Sequence, residues 1–291
     1  MKNAKNLSLA QKFTVALLAL VLLLGVPFAF SPNTVLAEQQ KEIIYFDDVE
    51  YYGTGTFVND SYIVNYDEVE ITVKGHQSAP SLGIHDNSIN NACATVAGAN
   101  IVTFYDRFYP ELIPNFEPGA ITPYGFWAYY PDTGREPTNQ LVGTLHTLMN
   151  SADGTTEAEF MNGMQSFVSS KNRSISYSSF YSSRVNVNLS ALATAIDQGK
   201  VGLLMCSTYN FVSALDNIAE LNRVYVAKQN CSAAHMMMVY GYEIYNYYVD
   251  GELTRTETFL SVSSGYSSGE KGYILLDDYL TIEKAYIVGI S

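Results

Sequence analysis

Two side chains in this sequence could together do covalent chemistry: a cysteine that opens a predicted helix and a histidine at the mouth of a predicted strand. Cys93 follows a polar loop and begins a run in which Ala97, Ile101, Phe104 and Phe108 recur at helical spacing until Pro110 ends it. Unpaired amides and the macrodipole at a helix start stabilise a thiolate and lower a cysteine below its free pKa of about 8.5. Asn90 or Asn91 is placed to cap that helix. Cysteine also serves as a small buried hydrophobe, so Cys93 has a purely structural reading too. A nucleophilic thiol needs a base. His76 and His85 lie in the loop before Cys93, and His146 falls in a predicted helix. His235 differs, because it follows Ser232-Ala233-Ala234 and opens the apolar run Met236-Met237-Met238-Val239-Tyr240. Taken alone it also reads as a satisfied core or edge histidine. His235 follows the helix-opening Cys93 by 142 residues, and the two together form the candidate nucleophile and base.

Elements to position this pair are legible around it. Residues 43–75 read as strands, with Tyr62, Val64 and Tyr66 alternating with polar partners. The cysteine helix is expected over 93–108. Thr138 is placed to cap a second helix carrying Leu141, Val142, Leu145 and Met149, and Thr155 or Thr156 a third carrying Phe160, Met164, Phe167 and Val168. A strand near 175–180 precedes a helix from Asn188 that stops at Gly199. Strands then dominate: 201–206, 235–245, a two-residue turn at Asp250-Gly251, 254–262, 272–276 and 285–290. Helices in the first half and antiparallel strands in the second give an α+β order.

The chain has 291 residues, 47% of them hydrophobic, enough for a sizeable core in one or two domains. Its net charge is −13, from 16 basic and 29 acidic side chains, which argues against nucleic acid or an anionic membrane surface as partner. No histidine or cysteine cluster has zinc spacing, no glycine-rich phosphate loop is present, and no cofactor is implied. The acidic pairs Asp47-Asp48 and Asp67-Glu68 read as solvated faces rather than calcium ligands, and the tyrosines at 45–66 as sheet packing rather than a sugar platform.

Lys2, Lys5 and Lys12 precede an apolar stretch over 13–30, and Pro32-Asn33 and Val35-Leu36-Ala37 follow it. This is the pattern of a secretory signal cleaved after residue 37; the competing reading is an uncleaved anchor. Residues 38–80 then form a strand-rich segment, either a removable propeptide or an integral part of the fold, and 81–291 the main domain. The expected product is secreted and free of the membrane after cleavage, with the oligomeric state left open. Three cysteines leave at least one thiol spare in a monomer. Cys206 and Cys231 either pair with each other, which would leave Cys93 as the odd free thiol, or remain two unpaired buried cysteines.

The stretch Asn90-Asn91-Ala92-Cys93-Ala94-Thr95-Val96-Ala97-Gly98-Ala99-Asn100-Ile101, continued by Tyr105-Asp106-Arg107, resembles the cysteine segment of secreted bacterial papain-like peptidases of the streptopain-like and bacteriocin-leader-peptidase-like groups. Ile196-Asp197-Gln198-Gly199-Lys200-Val201-Gly202 is similar to the helix, glycine and strand before their histidine, and 235–239 with Gly241-Tyr242 to their histidine strand. The resemblance spans roughly residues 87–274.

It implies a papain-like α+β fold, with an N-terminal helical part carrying the cysteine helix packed on a C-terminal antiparallel sheet. It also implies a peptide or protein substrate. Cys93 would attack an acyl carbon, His235 would relay the proton, and the Cys93 amide would share the oxyanion with a side chain that here is Asn87 in place of the family's glutamine. The family's third member, Asn or Asp, falls on Ser263, and its following aromatic on Tyr266 rather than Trp; Asp277 is an alternative carboxylate. These departures leave an inactive or weak relative acting as a binding protein as one alternative, and a transglutaminase or cell-wall amidase as another.

Overall fold

The longest strand organises the molecule. The computed structural model describes residues 42–52, 55–77, 79–82, 92–116, 135–265 and 272–291. The expected signal sequence at 1–37, the proposed oxyanion residue Asn87, the capping candidates Asn90 and Asn91, His85 and Tyr266 lie outside these residues. The strands are β1 (Glu42–Tyr52), β2 (Gly55–Asn65), β3 (Glu68–Gly75), β4 (Ile175–Ser179), β5 (Tyr181–Ser183), β6 (Asn186–Val187), β7 (Val201–Ile218), β8 (Arg223–Val249), β9 (Glu252–Ser263), β10 (Gly272–Leu275) and β11 (Thr281–Ile290). Four α-helices accompany them among the described residues: α1 (Cys93–Asp106), α2 (Arg135–Leu148), α3 (Glu157–Ser170) and α4 (Leu189–Asp197).

Nine strands form one antiparallel sheet in the order β1-β2-β8-β9-β10-β7-β11-β4, with β3 also on β8 and β7 also on β8. The first part of β8 pairs with β2, from Ser232 opposite Thr56 to Arg223 opposite Asn65. Its later part pairs with β3 and β9, and β7 runs beside it from Gly202 opposite Val239 to Ile218 opposite Arg223. Because β10 joins β9 to β7, the pairings β7, β8, β9, β10 close on themselves. Tyr62, Tyr245, Tyr247, Phe259 and Tyr273 are buried together in one apolar cluster.

This architecture corrects the expected papain-like α+β arrangement. The protein is mostly a large antiparallel sheet, and among the described residues there is no N-terminal helical part set against a C-terminal sheet: β1, β2 and β3 precede the described helices and belong to the same sheet as the C-terminal strands. The physical reason lies in β7 and β8. They are 18 and 27 residues long, and residues 207–234, rich in Ser, Asn and Ala, show little apolar alternation. Their backbone is nevertheless paired over most of this stretch, to each other with two register shifts and to β2, so cross-strand hydrogen bonding overrides weak local propensity. All described residues fall in one compact unit, Lys41–Ser291.

Periodicity holds where it is strong. Leu203 and Met205 pack in the same cluster as α1, whereas Leu204 and Cys206 pack in the same cluster as α4, so the apolar run at 201–206 is a strand buried on both faces. Thr156 caps α3 in a reciprocal capping box with Glu159, and Asn188 caps α4 through Ala191 N at 3.0 Å. Gly199, at φ 72°, follows that helix, and Asp250 and Gly251 both take positive φ in the hairpin turn. Thr138 does not start α2. The helix begins at Arg135, placing Pro137 in its first turn, where a missing N–H costs nothing.

Candidate active site

Helix α1 is buried along its whole length from Ala94 to Asp106, a property of its Ala, Gly and Val content. Gly98 shows why small residues are needed: a Cβ there would come 2.9 Å from Met164 Sδ and 3.0 Å from Met149 Cε. Close packing of α1 on β8, α2 and α3 fixes where its first residue sits. That residue is Cys93, which is partly exposed. Ala92 precedes it without a side-chain cap, so first-turn amides are left to other acceptors.

The Cys93 thiol takes that role. Burial pushes it up, but a hydrogen bond with His235 and the charge of His235 pull it down, as do the main-chain amides of Met236 and Ala94, and the net is a thiol held below its ordinary value. Cys206 and Cys231 are also free thiols, both buried, so the alternative of a disulfide between them is not realised. Burial drives Cys206 well above the ordinary range, reinforced by Cys231, Cys93 and Glu283. Cys206 sits opposite His235 across the β7–β8 ladder, and its Sγ lies 3.8 Å from the His235 carbonyl.

His235 is itself buried, at 7% exposure. Its Nε2 lies 2.7 Å from the main-chain carbonyl of Ser264. A carbonyl can only accept, so Nε2 carries the proton in this contact. Tyr209, fully buried, stacks on the imidazole with centroids 5.7 Å apart and planes 21° apart.

The residue that orients the imidazole is therefore not the one the sequence indicates. Ser263 donates its hydroxyl to the Pro80 carbonyl. Asp277 accepts from Asn210 Nδ2 at 2.6 Å and from Tyr279 N at 3.1 Å. The Ser264 carbonyl, the Tyr209 ring and the Met236 amide were not foreseen: two are main-chain groups, and Tyr209 is one of many tyrosines. The one available signal was Gly265, which has φ 80° and follows the end of β9.

The other histidines are placed elsewhere. His76 packs on the Phe104 ring at 4.7 Å, with Nε2 2.7 Å from the Lys200 carbonyl. His146 lies within α2. Two surface clefts of about 410 and 420 Å³ share Gln198 and Lys200, and neither is lined by Cys93 or His235. Among the described residues no group of three or more His, Cys, Asp or Glu side chains is placed to hold a metal ion, and no helix is long and apolar enough to cross a membrane.

A lowered thiol, a tautomer-fixed imidazole and a helix start without a side-chain cap can together support acyl transfer through a thioester. No protein-family model matches the chain, and neither a curated protein nor a solved structure is significantly similar to it.

Proposed function

We propose that this chain is an exported cysteine peptidase, hydrolysing peptide bonds through a Cys93 thioester. The observation that carries the reading is the placement of His235, whose Nε2 is committed to the Ser264 carbonyl at 2.7 Å and whose influence holds the Cys93 thiol below its ordinary value. In the reaction Cys93 Sγ attacks the scissile carbonyl carbon, and the main-chain amide of Cys93 donates to the developing oxyanion. The tetrahedral adduct collapses as the C–N bond breaks, with His235 Nδ1 protonating the leaving amine. Water, losing its proton to the same nitrogen, then opens the thioester and frees the acid. The Ser264 carbonyl keeps the tautomer correct but is less negative than a carboxylate, which supports a slower enzyme than one with Asp at that place. Export rests on the basic and apolar start of the chain, with its small-residue exit at Ala37.

The test is a peptide library digested by the secreted chain and by Cys93→Ala, with products read by mass spectrometry. Cleavage that disappears in Cys93→Ala is expected. Identical, uncleaved libraries would overturn the reading and favour a binding protein, and amide exchange with an added amine in place of hydrolysis would make the enzyme a transferase.

A further inference from the structure

Three consecutive residues where β9 ends reach three different parts of the site. Ser263 Oγ donates to the Pro80 carbonyl, the Ser264 carbonyl holds His235 Nε2 at 2.7 Å, and Gly265 lies against Val96, in the first turn of α1 from Cys93. A Cβ on Gly265 would come 3.1 Å from Val96 Cγ1, in a backbone conformation that favours glycine. Ser263 is fully buried, and residues 79–82 are buried with it. The same segment is tied to α1, because Leu82 N donates to Asn100 Oδ1 at 2.7 Å and Asn100 Nδ2 donates back to the Leu82 carbonyl at 3.3 Å. Burying a hydroxyl is unfavourable unless it is bonded, so a serine with this partner holds two chain segments in one relative position.

We propose that Ser263 is a positioning residue for the reaction described above, on which this inference rests. Its hydroxyl latches the end of β9 to Pro80, and the latch keeps the next carbonyl where it fixes the His235 tautomer. Ser263 thus acts on Cys93 through two intermediaries, the Ser264 carbonyl and the His235 ring. The N-terminal segment ending at Leu82 is, by the same contact, a working part of the site.

The experiment is the pH dependence of iodoacetamide reaction at Cys93 in the full chain, followed by peptide mass spectrometry, beside thermal unfolding. Ser263→Ala is expected to move the curve to higher pH and to lower the rate at pH 6.5 about tenfold. Ser263→Cys, which keeps a weaker donor of similar shape, is expected to fall between, and carries the test if Ser263→Ala does not fold. Tyr62→Phe serves as the control for lost stability, since it removes a buried hydrogen bond to Glu257 away from the site and is expected to leave the curve in place. A Ser263→Ala curve that superimposes on the parent, or a Tyr62→Phe curve that moves as far, would overturn the latch. A parent chain with no reactivity at low pH would overturn the underlying thiolate reading as well, so the two failures are distinguishable.

Discussion

His235 Nε2 stands 2.7 Å from the main-chain carbonyl of Ser264, so a backbone group performs the orienting task that a side chain was expected to perform. The consequence is chemical. A main-chain carbonyl fixes the tautomer as well as an Asn side chain would, but it survives every substitution at its own position, so side-chain mutagenesis of Ser264 cannot remove it.

Replacing His235 is expected to act on Cys93 directly. Burial raises this thiol and His235 lowers it. In His235→Gln the raising contribution is left facing only the amides of Met236 and Ala94, and the alkylation curve moves upward in pH. The rate at pH 6.5 should fall at least tenfold. Stopped-time alkylation across pH 5–10 measures it, and an unmoved curve would separate the two residues functionally.

The N-terminal strands should not be removable. β2 pairs along the first part of β8, Tyr62 Oη donates to Glu257 at 2.7 Å, and Lys228 meets Asp60 at 3.3 Å in a buried ion pair. Deleting residues through 66 would strand Glu257 and Lys228 without these partners, a loss of several kcal/mol. Such a truncation is expected to be insoluble or unfolded by circular dichroism, whereas a chain starting at residue 42 folds. N-terminal sequencing of the active form should accordingly find β1 and β2 retained.

Asp106 gives a stability prediction with a sign. Burial raises its carboxyl to about 6, with the Ile113 amide at 2.8 Å opposing the rise. The folded state holds this proton more tightly than the unfolded state does. The group's contribution to stability is therefore present at acid pH and is lost as pH rises from about 4 through about 6. Asp106→Asn keeps an acceptor for Ile113 and removes the buried charge. It should stabilise the protein at pH 7 by on the order of 2 kcal/mol and flatten that part of the pH profile, as read from urea unfolding.

Tyr62→Phe leaves Glu257 with Tyr247 Oη at 3.0 Å and the Arg255 guanidinium. One of its buried phenol donors is lost. A destabilisation of about 1–3 kcal/mol is expected in chemical denaturation, with Cys93 reactivity unchanged.

The sequence made parts of this structure legible for physical reasons. Cys93 stood out because a helix start has a local signature; His235 stood out because it opens an apolar run, but it lies inside β8 (Arg223–Val249) and not, as expected, at the mouth of a strand. Thr156 and Asn188 stood out because caps use side chains, and Asp250-Gly251 because positive φ restricts residue choice. The extent of β8 was hidden: residues 223–232 have weak strand signals, and their pairing depends on β2, far away in sequence, and on β7. That hidden pairing is also why helices and strands looked segregated when one sheet takes strands from both ends of the chain. Ser263 occupied the expected place for a third catalytic member, but position along the chain could not say that its hydroxyl turns to Pro80. Main-chain partners such as Ser264 and Met236 leave no mark on residue type at all.

The most direct measurement is the rate at which iodoacetamide modifies each of the three cysteines in the folded chain at pH 6.5, resolved by peptide mass spectrometry. Cys93, held low by His235 and partly exposed, is predicted to react at least a hundredfold faster than the buried Cys206 and Cys231. Equal and slow labelling of all three would contradict the claim that Cys93 is a poised nucleophile.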